Sequence, residues 1–84
     1  MFWVYILQGN SSRHYIGMTD DLSRRLAEHA RGHTYTTRRL GGGLRLVAQR
    51  GFSARVEAAA FERKLKSWKN PEKAIAVLRA ESAG

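Results

Sequence analysis

Two short apolar runs lie near the start of the chain, Trp3-Val4-Tyr5-Ile6-Leu7 and His14-Tyr15-Ile16-Gly17-Met18, each with a tyrosine near its centre. Their alternation is compatible with strands. The Gly9-Asn10-Ser11-Ser12 cluster between them consists of turn formers, so the pattern predicts a β-hairpin. Side chains change face at every residue of a strand. A register that pairs residue numbers with an even sum therefore puts Tyr5 and Tyr15 on one face, and a sum of 20 sets them directly opposite each other. A slip by one residue separates them.

The pattern then changes to a helical period. Leu22, Leu26 and Ala30 recur at i, i+4 and i+8, Thr19 or Asp20 can cap the N-terminus, and Gly32 suits the position after the last turn. At about 100° per residue, Arg24, Glu28 and Arg31 point away from this stripe, while Arg25 and His29 lie one turn apart along its flank. Residues 32–43 are polar, basic and glycine-rich and read as a loop, mobile around Gly41-Gly42-Gly43. Leu44-Arg45-Leu46-Val47-Ala48-Gln49-Arg50 reads as a third strand with Leu44, Leu46 and Ala48 on one face. Ser53 can cap a second helix whose stripe is Ala54, Ala58, Phe61, Leu65 and Trp68. Glu57 and Glu62 flank that stripe. Glu57 suits the helix dipole in the first turn, whereas Glu62 is mid-helix with Lys66 four residues on. Asn70-Pro71 starts a third helix to about Arg79, burying Ala74, Ile75 and Leu78. The expected architecture is α+β: a three-stranded antiparallel sheet flanked by helices in the order β-β-α-β-α-α, with one domain over residues 1–80 and a frayed tail over 81–84.

Composition narrows the partners. The chain has 84 residues and a formal net charge of +8, which favours an anionic partner, most often nucleic acid. The interval between Glu28 and Glu57 holds no carboxylate but carries Arg31, Arg38, Arg39, Arg45, Arg50 and Arg55. The absence of cysteine excludes disulfides, thiolate metal sites and a catalytic thiol, and fits a reducing, cytoplasmic compartment. No apolar run approaches the roughly 18 residues of a membrane span, and the first residues lack the basic, then apolar, pattern of a secretory leader. His33, Tyr35, Arg38, Arg39, Arg45 and Lys66 are candidates for gripping a phosphate backbone or stacking on a base.

Together, Val4-Tyr5-Ile6, Tyr15-Ile16-Gly17, the Arg25-x-x-x-His29 pair on the first helix and Phe61-Glu62 on a later helix resemble the GIY-YIG nuclease superfamily. The likeness is greatest to its small single-domain bacterial members and runs from about Phe2 to Leu78. The first motif reads Val-Tyr-Ile without its glycine, and Met18-Thr19 stand where some repair-type members carry a lysine. The resemblance implies an α/β sandwich with a three-stranded antiparallel sheet and hydrolysis of DNA phosphodiester bonds with one divalent metal ion, Mg²⁺ or Mn²⁺. It implies Tyr5, Tyr15, Arg25 and His29 as catalytic residues and Glu62 as the metal ligand.

These residue types suit the chemistry. Attack on a phosphodiester adds charge to an anion, so a cation must offset it, a base must take a proton from water, and the leaving alkoxide must be stabilised. Arg25 offers a permanent fork-shaped cation and Glu62 a hard oxygen ligand. A free tyrosine has a pKa near 10, so Tyr15 as general base needs nearby cations and His29 to tune its proton, with Tyr5 orienting water. The opposite division between the tyrosines is also open. Two other functions compete with a nuclease: a non-catalytic basic nucleic-acid-binding protein that keeps the fold, and a basic accessory of a ribosome or RNA complex.

Overall fold

The computed structural model describes residues 1–10, 13–31 and 43–82, the side chains of Glu81 and Ser82 excepted. Its elements are β1 (Phe2–Gln8), β2 (His14–Thr19), α1 (Leu22–Ala30), β3 (Arg45–Phe52), α2 (Arg55–Ser67) and α3 (Pro71–Ser82). The strands form one antiparallel sheet in the order β2-β1-β3, so the chain enters the sheet at its centre and, among the described residues, β2 and β3 are its edges.

The hairpin register pairs Tyr5 with Gly17 and Tyr15 with Leu7. The paired numbers sum to an even value, as the shared face requires, but to 22. The connection sets this offset: Gln8 pairs with His14, and the Gly9 amide donates to the Arg13 carbonyl at 3.2 Å. The tyrosines are diagonal neighbours on the same face.

Val4 and Ile6 turn to the other face, where α2 and α3 cover them. There Val4, Ile6, Ala48, Phe52, Ala58, Leu65, Ala74 and Leu78 form the main core, with Phe61, Trp68 and Ile75 packed against it. Tyr5 and Leu7 form a second apolar cluster with Tyr15, Leu22, Leu26 and Leu44, which is how α1 closes the opposite face. A shift of register between Ile6 and Leu7 leaves Val47 as an extra residue in β3. This bulge corrects the expected alternation: Ala48 joins the main core and Leu44 the second cluster, while Leu46 stays exposed.

Helix ends correct three further expectations. Asp21, not Thr19 or Asp20, caps α1, its Oδ1 accepting from the Arg24 amide at 3.0 Å. Thr19 shapes the entry instead, its Oγ1 accepting from the Asp21 amide at 3.1 Å. Ala54, not Ser53, is the first flanking residue of α2, and no side chain caps it. The Asn70 Oδ1 does cap α3, accepting from Lys73 at 3.1 Å, and that helix runs to Ser82 rather than ending at about Arg79.

Candidate active site

The site grows from the face of the hairpin that α1 covers. Gly17, opposite Tyr5, is a clearance in the sheet. A Cβ built there would stand 2.6 Å from the Tyr5 hydroxyl oxygen and 2.7 Å from Cε2 of Tyr15. Both rings therefore lean over the one residue of β2 that has no side chain. Their centroids are 6.1 Å apart at an interplanar angle of 57°.

His29 completes the cluster from above. Its centroid lies 6.0 Å from that of Tyr5 and 5.4 Å from that of Tyr15, and its Nε2 is hydrogen-bonded to the Tyr5 hydroxyl at 3.1 Å. His29, expected on the flank of the stripe, is buried, with 1% of its surface exposed, whereas Ala30 of the expected stripe is exposed. The reason is visible on the helical wheel. His29 is seven residues after Leu22, only about 20° from it, so the buried stripe is centred nearer Leu22, Arg25, Leu26 and His29. Tyr5 is wholly buried and Tyr15 half-buried. A water-orienting role at Tyr5 therefore does not fit the fold, because its hydroxyl does not reach solvent.

Burial raises the pKa of Tyr5 to about 12; Arg25 opposes the rise and Tyr15 adds to it. Arg25, one helical turn before His29, is raised above its ordinary value chiefly by its interaction with the Tyr5 hydroxyl; burial opposes this, and Tyr15 adds to it. The guanidinium thus stands close to both phenols, and its Nη1 also lies 3.5 Å from Glu28. Burial, and then the Arg25 charge, hold His29 below the usual 6.5 against the weaker pull of Glu28, so the imidazole is neutral at pH 7.

Glu62 belongs to α2, which packs on the other face of the sheet. Its side chain is 22% exposed, and its Oε2 lies 3.5 Å from the exposed Lys66 Nζ. Tyr5, Tyr15, Arg25 and His29 thus meet at one place, whereas Glu62 lies on the helix that covers the opposite face of the sheet. Arg45 lies at the turn end of the sheet, its Nη2 donating to Gln8 Oε1 at 3.1 Å. His33, Tyr35, Arg38 and Arg39 lie outside the described residues. Among the described residues no group of three or more His, Cys, Asp or Glu side chains could hold a metal ion. Glu62 offers a single hard oxygen donor of the kind that Mg²⁺ or Mn²⁺ prefers. Apolar patterning alone does not mark Gly17 as a clearance; the bulky Tyr15 two residues before it is the available signal.

A tyrosine on each arm of an antiparallel hairpin, backed by a buried histidine and flanked by an arginine, defines the class as a small α+β domain with a polar aromatic site. A family model described as the GIY-YIG catalytic domain matches residues 1–75, and the chain belongs to that family of nucleases. It is 38% identical over 73 residues to a UPF0213 protein of Streptococcus pneumoniae serotype 4, covering 84% of this chain and 72% of that one. It is 38% identical over 64 residues to UPF0213 protein BH0048 of Halalkalibacterium halodurans, covering 76% and 68% of the two chains. The solution NMR structure of the UPF0213 protein BH0048 from Bacillus halodurans superposes with a TM-score of 0.58 at 36% identity, covering 92% of this chain and 83% of that one.

Proposed function

We propose that this chain is a metal-dependent DNA endonuclease that hydrolyses phosphodiester bonds in DNA repair or recombination. The observation that carries the proposal is the buried Tyr5–His29 hydrogen bond beside half-buried Tyr15, with Arg25 near both phenols. Packing alone gives no reason to bury a polar pair next to a guanidinium on the same face.

Tyr15 is the phenol that can meet water. In the Nδ1-protonated tautomer of neutral His29, the Tyr5 hydroxyl donates to Nε2. Tyr15 can then pass its proton to the Tyr5 oxygen while Tyr5 passes its own to His29, so Tyr5 relays without ionising. The high pKa of Tyr5 suits a relay and disqualifies it as the phenolate. The Tyr15 phenolate left by the relay takes a proton from water as the oxygen attacks phosphorus. The bond from phosphorus to the leaving oxygen breaks, the alkoxide takes a proton from solvent water, and the proton held by His29 returns through the phenols to solvent, which restores the neutral imidazole. Arg25 offsets the charge that accumulates on the non-bridging oxygens. Glu62 is the residue that would hold Mg²⁺ or Mn²⁺, which when bound supplies Lewis-acid stabilisation of the phosphate and the leaving oxygen.

The test is incubation with plasmid, branched, flapped and single-stranded DNA, with and without Mn²⁺ or Mg²⁺, alongside Tyr15→Phe and Glu62→Ala. Nicking that depends on metal and disappears in both variants supports the assignment. Nicking that survives both substitutions overturns the site. Tight, salt-sensitive binding without cleavage supports the second reading, a nucleic-acid-binding protein, which the net charge of +8 favours.

A further inference from the structure

A cleft of about 460 Å³ opens at the β2 edge, where α1 and the start of α2 approach from opposite faces of the sheet. Phe2 and Met18, both half-buried, contribute apolar surface. Arg24 and Arg25 reach it from α1 and Arg55 from the first residue of α2. Its size lies within the usual range for small-ligand sites. Arg25 belongs to the cleft and to the tyrosine cluster at once, so the two are continuous.

The cations in it differ. Arg24 lies 3.5 Å from Asp20, and Arg25 lies 3.5 Å from Glu28. Among the described residues Arg55 has no ion-pair partner. Helix geometry adds a direction. Arg55 and Glu62 are seven residues apart, about 20° from each other around the helix and about 10 Å along it. The face of α2 that enters the cleft at Arg55 is therefore the face that carries Glu62.

We propose that this cleft holds a nucleotide next to the cleaved phosphodiester, with Arg55 gripping its backbone phosphate and Phe2 and Met18 contacting its sugar or base. The strand then lies along the β2 edge, between the Arg25 side and the face of α2 that runs from Arg55 to Glu62. This gives Arg55 a substrate-positioning role. It rests on the proposed nuclease reading for the identity of the ligand, but its binding prediction stands without cleavage.

The test is titration of a fluorescein-labelled DNA oligonucleotide into the full chain over a range of salt concentrations, followed by anisotropy. Arg55→Ala is compared with Lys64→Ala, which removes the same charge from the opposite side of α2, about 180° away. Arg55 is exposed, so its loss spares the fold; thermal unfolding of each variant checks this. The expected result is about tenfold weaker binding for Arg55→Ala, with the salt slope reduced by about one, a smaller change for Lys64→Ala and partial rescue by Arg55→Lys. Where cleavage is measurable, Arg55→Ala raises KM with little change in kcat. Equal losses for Arg55→Ala and Lys64→Ala, or no loss in either, overturn the proposal. A selective Arg55 effect on binding in a chain that cuts nothing upholds the cleft and refutes the nuclease.

Discussion

Replacing Gly17 by alanine tests the geometry of the site with a single methyl group. That methyl would sit 2.6 Å from the Tyr5 hydroxyl oxygen and 2.7 Å from both the Tyr5 Cζ and the Tyr15 Cε2. To reach an ordinary contact of 3.4 Å the rings must retreat by about 0.8 Å. Tyr5 is 0% exposed and hydrogen-bonded to buried His29, so it has no free space into which to swing. Overpacking of this kind costs about 1–3 kcal/mol, and the lower entropy of an unfolded alanine returns about 0.4–1 kcal/mol. The midpoints leave a net loss of about 1.3 kcal/mol, which lowers Tm by about 5–10 °C in a domain of this size. Gly51→Ala is the matched control on β3. Its methyl would meet Met1 Sδ at 2.6 Å, but Met1 is 70% exposed and flexible, and the nearest Trp3 atom is 3.1 Å away. Thermal unfolding followed by circular dichroism should show a large drop for Gly17→Ala and a small change for Gly51→Ala. Equal Tm values for Gly17→Ala and the wild type would refute the close approach of the rings.

Three other outcomes follow from the same geometry. Tyr5→Phe leaves His29 Nε2 buried without its hydroxyl partner, so stability should fall by about 1–3 kcal/mol in urea titration, and the proton relay should be lost from any measured cleavage. Stability should fall at both ends of the pH scale. The depressed pKa of His29 favours the folded state fully above its unfolded value of 6.5 and loses that contribution as pH drops through the folded value. The raised pKa of Tyr5 contributes up to about pH 10 and is lost toward about 12, which urea midpoints at each pH would read. Removal of divalent metal with EDTA should abolish cleavage while leaving Tm within about 1 °C, because a site of one carboxylate adds little to folding.

The order of elements was legible in the chain because its hydrophobic period changes cleanly at each boundary. The strands, the two later helices and the cap at Asn70 followed directly. Tyr5, Tyr15, Arg25 and His29 stand out in the chain by type and spacing, but the arrangement in which they cluster does not. An even register was required, yet the offset that sets Gly17 rather than Tyr15 opposite Tyr5 depends on how the chain turns between Gln8 and His14. The burial of His29 was hidden because a helical stripe is drawn from apolar residues, and a histidine with a phenol for a partner fills such a stripe equally well. The bulge at Val47 left no sign in a run that alternates acceptably without it. The meeting of Arg55 with Arg24 and Arg25 in one cleft depends on α1 and α2 approaching one edge from opposite faces, which is a tertiary fact.

The most direct measurement is single-turnover cleavage of a labelled branched or flapped DNA by the wild type and by Tyr15→Phe, with Mn²⁺ present, as a function of pH. Cleavage by the wild type should decline only as pH falls through the depressed pKa of His29, below the usual 6.5, where His29 can no longer accept a proton, and Tyr15→Phe should give no measurable product. Equal rates for the two proteins, or a wild-type rate that stays flat as His29 becomes charged, would contradict it.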